Sequence, residues 1–540
     1  MSAAFTRRHF FYGSLLAGAV PAGGFGSTPS LTAAGYKSFN EKLNIGAIGC
    51  GTRSTAIIPG AAVTENIVAL CDVDKNRAAR TFQMYPKATQ YTDYRVMLEK
   101  EKSIDAVMIA TPDHLHTPVA LLAMQRGKHV YCEKPLTRTV WESQLLNEAA
   151  LKYKVATQMG NQGFNHEALK TACEIVWSGD IGDVKEVWAW TGGIYGGQPE
   201  LPETGPAKED IPTTLDWDLW LGPAAPRDFN HLMTNQWRAF QDFSTGGSLG
   251  DWLVHILGPA HMALQLDTVS PISVEAVTVE GKNNWLWPLK DHIVFEFPAR
   301  GNMPALTIHA LQNMHGDFKN PEGMAEGDRL FPGMNNLATE KNRPFQETGD
   351  GMLEVDGLGP DGKPAPRPNA GGGRGVGAPG GGRQGGARGG ANFAGRGPGG
   401  PGGPGGRGGP GGPGGANADR APGNGSVFVG SKGYMATTSR GEGVWLLPNS
   451  RWLDYKLPPQ ILPRGVNHQQ DWVRACKGGV PAASNFPVAT KYIEWLVLGA
   501  IATRVPGKLM WDAKNGRFSN NEEANKYLKP YLRKGWELKV

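Results

Sequence analysis

Apolar residues are distributed along this chain in two different rhythms. From residue 42 to 162 they come in short runs, at 42–48, 67–71, 104–110, 129–132 and 155–159. Near-continuous apolar runs of this length read as strands buried on both faces, as in a parallel sheet. The intervals leave room for helices, most plainly at 117–126, so the pattern predicts alternating strands and helices and a doubly wound parallel sheet. From residue 163 the rhythm changes. An amphipathic helix is predicted at 167–178, then strands rich in β-branched and aromatic residues at 185–190, 274–280 and 292–297, then helices at 468–477 and 490–504. The expected class is α/β, with a nucleotide-binding domain over 42–162 and a substrate and oligomerisation domain over 163–540.

Composition changes this picture in two places. The 540 residues include 75 glycines and 40 prolines, well above ordinary usage. The excess is concentrated in 364–425, which contains GRGPGGPGGPGGRGGPGGPGG and carries seven arginines against one acid, Asp419. Its period of three covers few triplets and puts glycine in two of every three positions, so a disordered insert is expected rather than a triple helix. Basic residues number 55 against 50 acidic ones. Without the insert the chain is close to neutral, and no nucleic-acid partner is expected.

At the other end, Thr6, Arg7, Arg8, His9 and Phe10 precede an apolar 11–20 followed by small residues, which resembles a twin-arginine signal over 1–35. The apolar run is about half a membrane span. The mature chain is therefore expected to have no membrane span and to reach the periplasm already folded, through the twin-arginine (Tat) export machinery. Cys50, Cys71, Cys132, Cys173 and Cys476 are odd in number and in no metal spacing, as buried thiols of a protein folded in a reducing compartment would be.

The residues that carry chemistry gather at predicted strand ends. The first run ends in Gly49, Cys50 and Gly51, and the second ends in Asp72 about twenty residues on, the spacing of a Rossmann dinucleotide-binding unit. Gly49 permits a tight turn, Gly51 a close approach of pyrophosphate, and Thr52 and Arg53 open the helix whose N–H groups would receive it. Asp72 would accept from a ribose 2′-hydroxyl and repel a 2′-phosphate, which favours NAD over NADP. Ser54 replaces the usual third glycine, and Pro59-Gly60 is expected to end the helix early. His114 and His116 form an HxH with no acidic or cysteine partner at ligand spacing, so no metal is expected and His116 is placed near the nicotinamide.

Taken in order, Gly49 to Gly51, then Ala110, Thr111, Pro112 and His116, then Glu133, Lys134 and Pro135 resemble the Gfo/Idh/MocA family of NAD(P)-dependent oxidoreductases. The resemblance continues through WRAFQDFSTGGSLGDWLVHILG and a C-terminal WD…NNEEAN…YLRKGW. It implies that Thr111, Pro112, His116, Glu133 and Lys134 contact cofactor and that Lys134 is the principal catalytic residue. It also implies an open, mostly antiparallel sheet in the second domain and a homodimer or homotetramer. Asp251 and His255, which the family uses for proton handling and substrate binding, lie four apart in a predicted helix and would share one face. A carboxylate so placed would orient the imidazole and raise its pKa. Leu253 and Gly258 depart from the family's usual glycine and acid.

An exported nicotinamide enzyme has no free cofactor pool to exchange with, so it is expected to hold NAD tightly and restore its oxidation state in each cycle. The expected activity is hydride transfer on a sugar, polyol or glycoside. One alternative is a glycoside hydrolase, lyase or epimerase working through a transient keto-sugar. Another is a non-catalytic envelope ligand-binding protein, against which Lys134, Asp251 and His255 speak. Pairs such as Trp188/Trp190, Trp217/Trp220 and Trp237/Trp252 invite a carbohydrate reading, though most of the sixteen tryptophans are expected in the core or an interface. Asn161, Gln162 and His468 are pocket candidates by position alone.

Overall fold

The computed structural model describes residues 37–331 and 422–540, except 39, 196, 325–328, 465 and 466. The signal segment 1–35 and the insert as far as residue 421 lie outside the described residues.

Strands β1 (Asn44–Ile48), β2 (Asn66–Cys71), β3 (Thr89–Tyr91), β4 (Ala106–Ile109), β5 (His129–Glu133) and β6 (Thr157–Gly160) form one parallel sheet. Its order is β3-β2-β1-β4-β5-β6. The connections run through α1 (Thr52–Ala62), α2 (Lys75–Met84), α3 (Tyr94–Lys100), α4 (His116–Gln125) and α5 (Val140–Tyr153). Four of the five apolar runs become fully or largely buried strands, as expected of a sheet covered on both faces. The order reverses between β1 and β4, which opens a crevice at the carboxyl ends of the strands where doubly wound sheets bind ligands. Asp74, Asp93 and Thr139 cap α2, α3 and α5 with side-chain oxygens. Helix α1 instead follows Gly51 and has no side-chain cap.

One expectation about α1 is corrected. The helix does not end at Pro59-Gly60 but continues to Ala62 with Pro59 inside it. A proline removes one N–H and crowds the preceding turn, yet this turn is held from outside. The Gln470 side chain donates to the Gly60 carbonyl at 2.7 Å, and Val63 N–H continues the ladder to the Pro59 carbonyl at 3.2 Å.

The second sheet has nine strands in the order β13-β12-β11-β7-β10-β9-β8-β14-β15. These are β7 (Val184–Thr191), β8 (Ser273–Glu280), β9 (Lys290–Phe297), β10 (Leu306–Gln312), β11 (Gly425–Gly430), β12 (Gly433–Thr438), β13 (Val444–Leu447), β14 (Leu509–Asp512) and β15 (Arg517–Phe518). Every neighbouring pair is antiparallel except β7 with β10. Along β9 the residues Asp291, Ile293, Phe295 and Phe297 are buried and alternate with half-exposed ones, the period of two of a one-sided strand. Helix α6 (Glu167–Ser178) follows the first sheet, and α7 (His468–Cys476) and α8 (Phe486–Ala502) return to it near the C-terminus. Trp495 of α8 meets Phe295 and Phe297 edge-on.

The returning helices tie the two sheets together. Ser484 exchanges hydrogen bonds with the Met159 backbone at 2.7 and 2.8 Å, and a buried Lys477–Glu65 pair at 2.7 Å anchors α7 beside α1. Trp217 and Trp220 stack at 4.9 Å inside a core with Phe229 and Phe243, and Trp188 and Trp190 lie nearly parallel and buried. All five cysteines are free and buried. Among the described residues no helix is long and apolar enough to cross a membrane, and no group of three metal-ligating side chains converges.

Candidate active site

The loops after β1 and β4 form a cradle. Gly49 has φ +81°, and a Cβ there would lie 2.6 Å from the Thr111 backbone nitrogen, so the two loops touch only because position 49 is glycine. At Gly51 a Cβ would meet nothing within 4 Å. That open space faces the uncapped start of α1, formed by Thr52 and Arg53, where backbone donors and the positive end of the helix dipole favour an anion. Asp72 accepts from Cys50 N–H at 2.6 Å and Asp74 N–H at 2.8 Å, which fixes its half-buried carboxylate beside the loop. Burial pushes its pKa up to about 6. The buried Thr111 hydroxyl meets no partner among the described residues. Open space at Gly51, free helix donors and an orphaned hydroxyl together fit a dinucleotide along this edge.

The next loop brings in the base candidate. Glu133 ends β5, and its carboxylate receives Arg53 at 3.0 Å, with Tyr131 and Gln162 both at 3.3 Å. Burial raises the Glu133 pKa, but Arg53, with Lys134 and His468, together outweigh it and the carboxyl stays below its usual range. Pro112 precedes the turn that leads into α4. His116 lies between two backbone oxygens, with Nδ1 2.7 Å from Pro135 and Nε2 2.9 Å from Thr111; burial keeps the ring neutral, so it donates to one of these carbonyls and packs between the loops after β4 and β5. The Lys134–Pro135 bond is cis. His114 turns away into the Trp220 and Phe243 rings.

Lys134 Nζ donates to both the Asp251 backbone oxygen, at 2.6 Å, and its Oδ1, at 3.0 Å. Two of its three donor positions are thereby used and one is left for another ligand. Burial pulls the Lys134 pKa down, Asp251 pulls it back up, and nearby Arg238 adds to the depression; the net position is below the usual ammonium range. Asp251 also receives Arg238 Nε at 3.0 Å and the Tyr195 N–H at 3.0 Å. Burial opposes its ionisation, but Lys134 and Arg238 prevail and hold it at about 2.

The expected pairing of Asp251 with His255 is corrected. The stretch Leu249–Leu253 is a π-helical turn, and regular α-helix resumes only at Val254. The wider turn breaks the four-residue register, and Asp251 faces Lys134 and Arg238 instead. His255 Nδ1 meets Asn161 Oδ1 at 2.7 Å, while Asn161 Nδ2 donates to the Val254 carbonyl at 2.9 Å. Since that amide must donate to Val254, its oxygen faces His255, so Nδ1 carries the proton and Nε2 an unprotonated lone pair. The His255 pKa is not raised. Burial, with Lys134 nearby, drives it well below the ordinary imidazole range.

Three contributors were not visible as motifs. Asp113 is 4% exposed, accepts Thr245 N–H at 3.0 Å and lies in the field of Arg238 and Lys134; burial nevertheless raises it to about 7. Its place directly after Thr111-Pro112, at a strand's carboxyl end, was the available signal. Arg238 lay within the quoted stretch WRAFQDFSTGGSLGDWLVHILG without being singled out, and Tyr195 had no signal; both converge on Asp251. Arg238 also lies over the Trp237 ring at 4.2 Å and over Tyr195 at 5.6 Å, so Trp237 joins this cluster, whereas Trp252 lies beside His255. Asn161, named by position, orients His255. Gln162 and His468 lie beneath Glu133, His468 bonding Asn165 and the Met159 carbonyl.

Residues 43–161 match the model of the Gfo/Idh/MocA oxidoreductase family, NAD-binding Rossmann fold, and residues 190–288 that of the family's C-terminal alpha/beta domain. A protein of Solibacter usitatus named as a glycosyl hydrolase family 109 protein is 31% identical over 155 residues, 26% of this chain and 35% of that relative. Levoglucosan dehydrogenase of Pseudarthrobacter phenanthrenivorans is 28% identical over 155 residues, 27% of this chain and 39% of the relative. The chain thus spans well under half the length of either. The solved aldose-aldose oxidoreductase of Caulobacter crescentus, complexed with glycerol, is similar at TM-score 0.48 and 14% identity over 87% of this chain and 100% of that one. Over residues 43–161 and 190–288 the chain is thus similar to both domains of the Gfo/Idh/MocA family of oxidoreductases.

Proposed function

We propose that this protein is a NAD-dependent oxidoreductase that removes hydride from a CH–OH group of a sugar, polyol or glycoside. The observation that carries the reading is Lys134, held by Asp251 at the end of β5 beside the Gly49–Gly51 cradle, with one donor position uncommitted. Bound in the cradle, NAD supplies a two-electron hydride acceptor. Lys134 in its neutral form takes the hydroxyl proton as the C–H hydride departs, leaving a carbonyl; burial favours that neutral form. Asp251 and Arg238 hold the amine in place, and neutral His255 offers Nε2 as an acceptor to a second hydroxyl. Trp237, Trp252 and the exposed Tyr195 give flat surfaces on which the C–H face of a sugar ring can stack. Asp72 supports NAD over NADP, because a 2′-phosphate beside that carboxylate would be repelled.

We further propose export by the twin-arginine route to the periplasm with NAD held through the cycle, on the Arg7-Arg8 signal pattern and the five buried free thiols. Assembly as a dimer or tetramer through the second sheet belongs to the same reading. A second reading, transient oxidation within a glycosidase or epimerase cycle, is favoured by the relative named as a glycosyl hydrolase; retention of Glu133-Lys134-Pro135 tips the balance to the dehydrogenase.

Protein purified from the envelope, exhaustively dialysed and denatured should release stoichiometric NAD or NADH, identified by mass spectrometry. Lys134→Ala should keep that nucleotide and lose turnover of every polyol and sugar. Turnover that survives Lys134→Ala refutes the proposed chemistry, and absence of nucleotide in an uncleaved cytoplasmic protein refutes the loaded, exported form.

A further inference from the structure

A second cavity, of about 270 Å³, shares no residue with the Lys134–Asp251–His255 site. It lies where the chain just past Pro135 meets the C-terminal segment. Its polar wall is formed by Arg138, Asp242, Arg504, Lys526, Lys529 and Tyr531, over apolar groups that include Val497 and Ile501. Four cations face one acid, and that acid is already engaged, since Asp242 is ion-paired with Arg227. Lys526 pairs with Glu523 at the surface.

None of the other three cations forms a direct ion pair with a carboxylate among the described residues, although Arg138 and Arg504 lie in the field of Asp242. Arg504 is sandwiched between Trp287, at 4.5 Å, and Tyr527, at 4.7 Å, and its hydrogen bond is to the Gln241 backbone oxygen at 3.3 Å. Arg138 donates from one terminal nitrogen to the Asp242 backbone oxygen, while its buried Nε meets no acceptor among the described residues. Lys529 lies over the Trp141 ring at 4.5 Å. Desolvation pulls Arg504 down to about 10, a cost that a bound anion would relieve. Two guanidinium groups and an ammonium around one half-open cavity have the donor geometry and charge that suit phosphate oxygens. The volume is below the roughly 300–1,000 Å³ of sites for drug-sized ligands, so the occupant is compact.

We propose that this cavity binds a phosphate dianion, either free or as the monoester of a short carbon chain, through Arg138, Arg504 and Lys529. The site is independent of the nicotinamide cradle and does not depend on the proposed reaction.

The test is a titration of the full chain with inorganic phosphate and, separately, with glycerol phosphate, against sodium chloride of matched ionic strength. Binding is followed by calorimetry and thermal midpoint. Saturable binding of inorganic phosphate supports a free-anion site, and saturation by glycerol phosphate alone supports a monoester site. No saturation beyond the chloride control by either ligand overturns the proposal. Lys529→Gln, at the rim, should weaken binding about tenfold or more, the usual effect of removing one charged hydrogen bond. Arg504→Gln should abolish binding; because it also empties the Trp287–Tyr527 sandwich, Arg138→Gln serves as the second buried variant. Unchanged affinity in Lys529→Gln and Arg138→Gln together would place any phosphate elsewhere and overturn the assignment.

Discussion

Asp251→Asn removes one charge from the site with little change of shape, and its effect on Lys134 has a definite sign. Lys134 Nζ and Asp251 Oδ1 are 3.0 Å apart with side chains 13% and 7% exposed, so water screens them poorly. At an effective dielectric of about 20, unit charges at this distance attract by about 5 kcal/mol, which sets a ceiling of about four pK units. The asparagine oxygen still accepts from Nζ and water relaxes around the vacated charge, so a shift of about one to three units is expected. The direction is downward. Burial and Arg238 already depress the Lys134 pKa and Asp251 alone of the pair opposes them. In the pH dependence of kcat/KM for polyol oxidation, the limb that rises as Lys134 loses its proton should therefore move to lower pH. Arg238→Gln removes a depressing charge and should move it to higher pH. The same inflection can be read without a substrate, from the pH dependence of Lys134 acylation by acetic anhydride followed by peptide mass spectrometry. Shifts of both variants in one direction, or an upward shift in Asp251→Asn, would refute the assignment of Lys134 as a base set by these two neighbours.

The cradle predicts a contrast: Gly51→Ser should leave the thermal midpoint unchanged, since its Cβ meets nothing and serine suits a helix N-cap, yet weaken NAD binding by isothermal titration. Gly49→Ala should destabilise the protein itself by about 2 kcal/mol or more in chemical denaturation, because a positive φ and backbone atoms 2.6 Å away oppose a side chain. NAD affinity should fall as pH drops through about 6, approaching tenfold per unit, because a proton on Asp72 removes the acceptor for ribose; Asp72→Asn should flatten that profile. Asn161→Leu releases the His255 tautomer and should lower kcat about tenfold to a hundredfold with little change in KM, as steady-state kinetics would show. Removal of residues 371–415 should leave both activity and thermal midpoint unchanged.

Local features were legible in the chain and convergent ones were not. The apolar runs that became β1, β4, β5 and β6 are buried on both faces, so burial alone wrote them into the sequence. Strand β3 is three exposed or half-exposed residues at the sheet edge and leaves no such mark. Helix α1 shows the opposite failure: Pro59 is a true local stop signal, overridden by a hydrogen bond from Gln470, more than four hundred residues away. The cradle could be read because Gly49, Gly51 and Asp72 lie within two consecutive strand ends. Arg238 could not, because nothing near it in sequence says that it will meet Asp251.

The π-helical turn at Leu249–Leu253 carries the larger lesson for the site. Read as α-helix, Asp251 and His255 are one acid–base pair, and the imidazole should be the more basic for it. The wider turn separates them into two devices with opposite electrostatics. Asp251, ionised between Lys134 and Arg238, sets the proton affinity of the amine. His255, buried and tied to Asn161, stays neutral and presents a lone pair rather than a proton. Of Lys134 and His255 only the amine remains a titrating base, and that is why the limb of the pH profile assigned to Lys134 should follow its two charged neighbours while His255→Gln, which keeps an acceptor, leaves that inflection where it is.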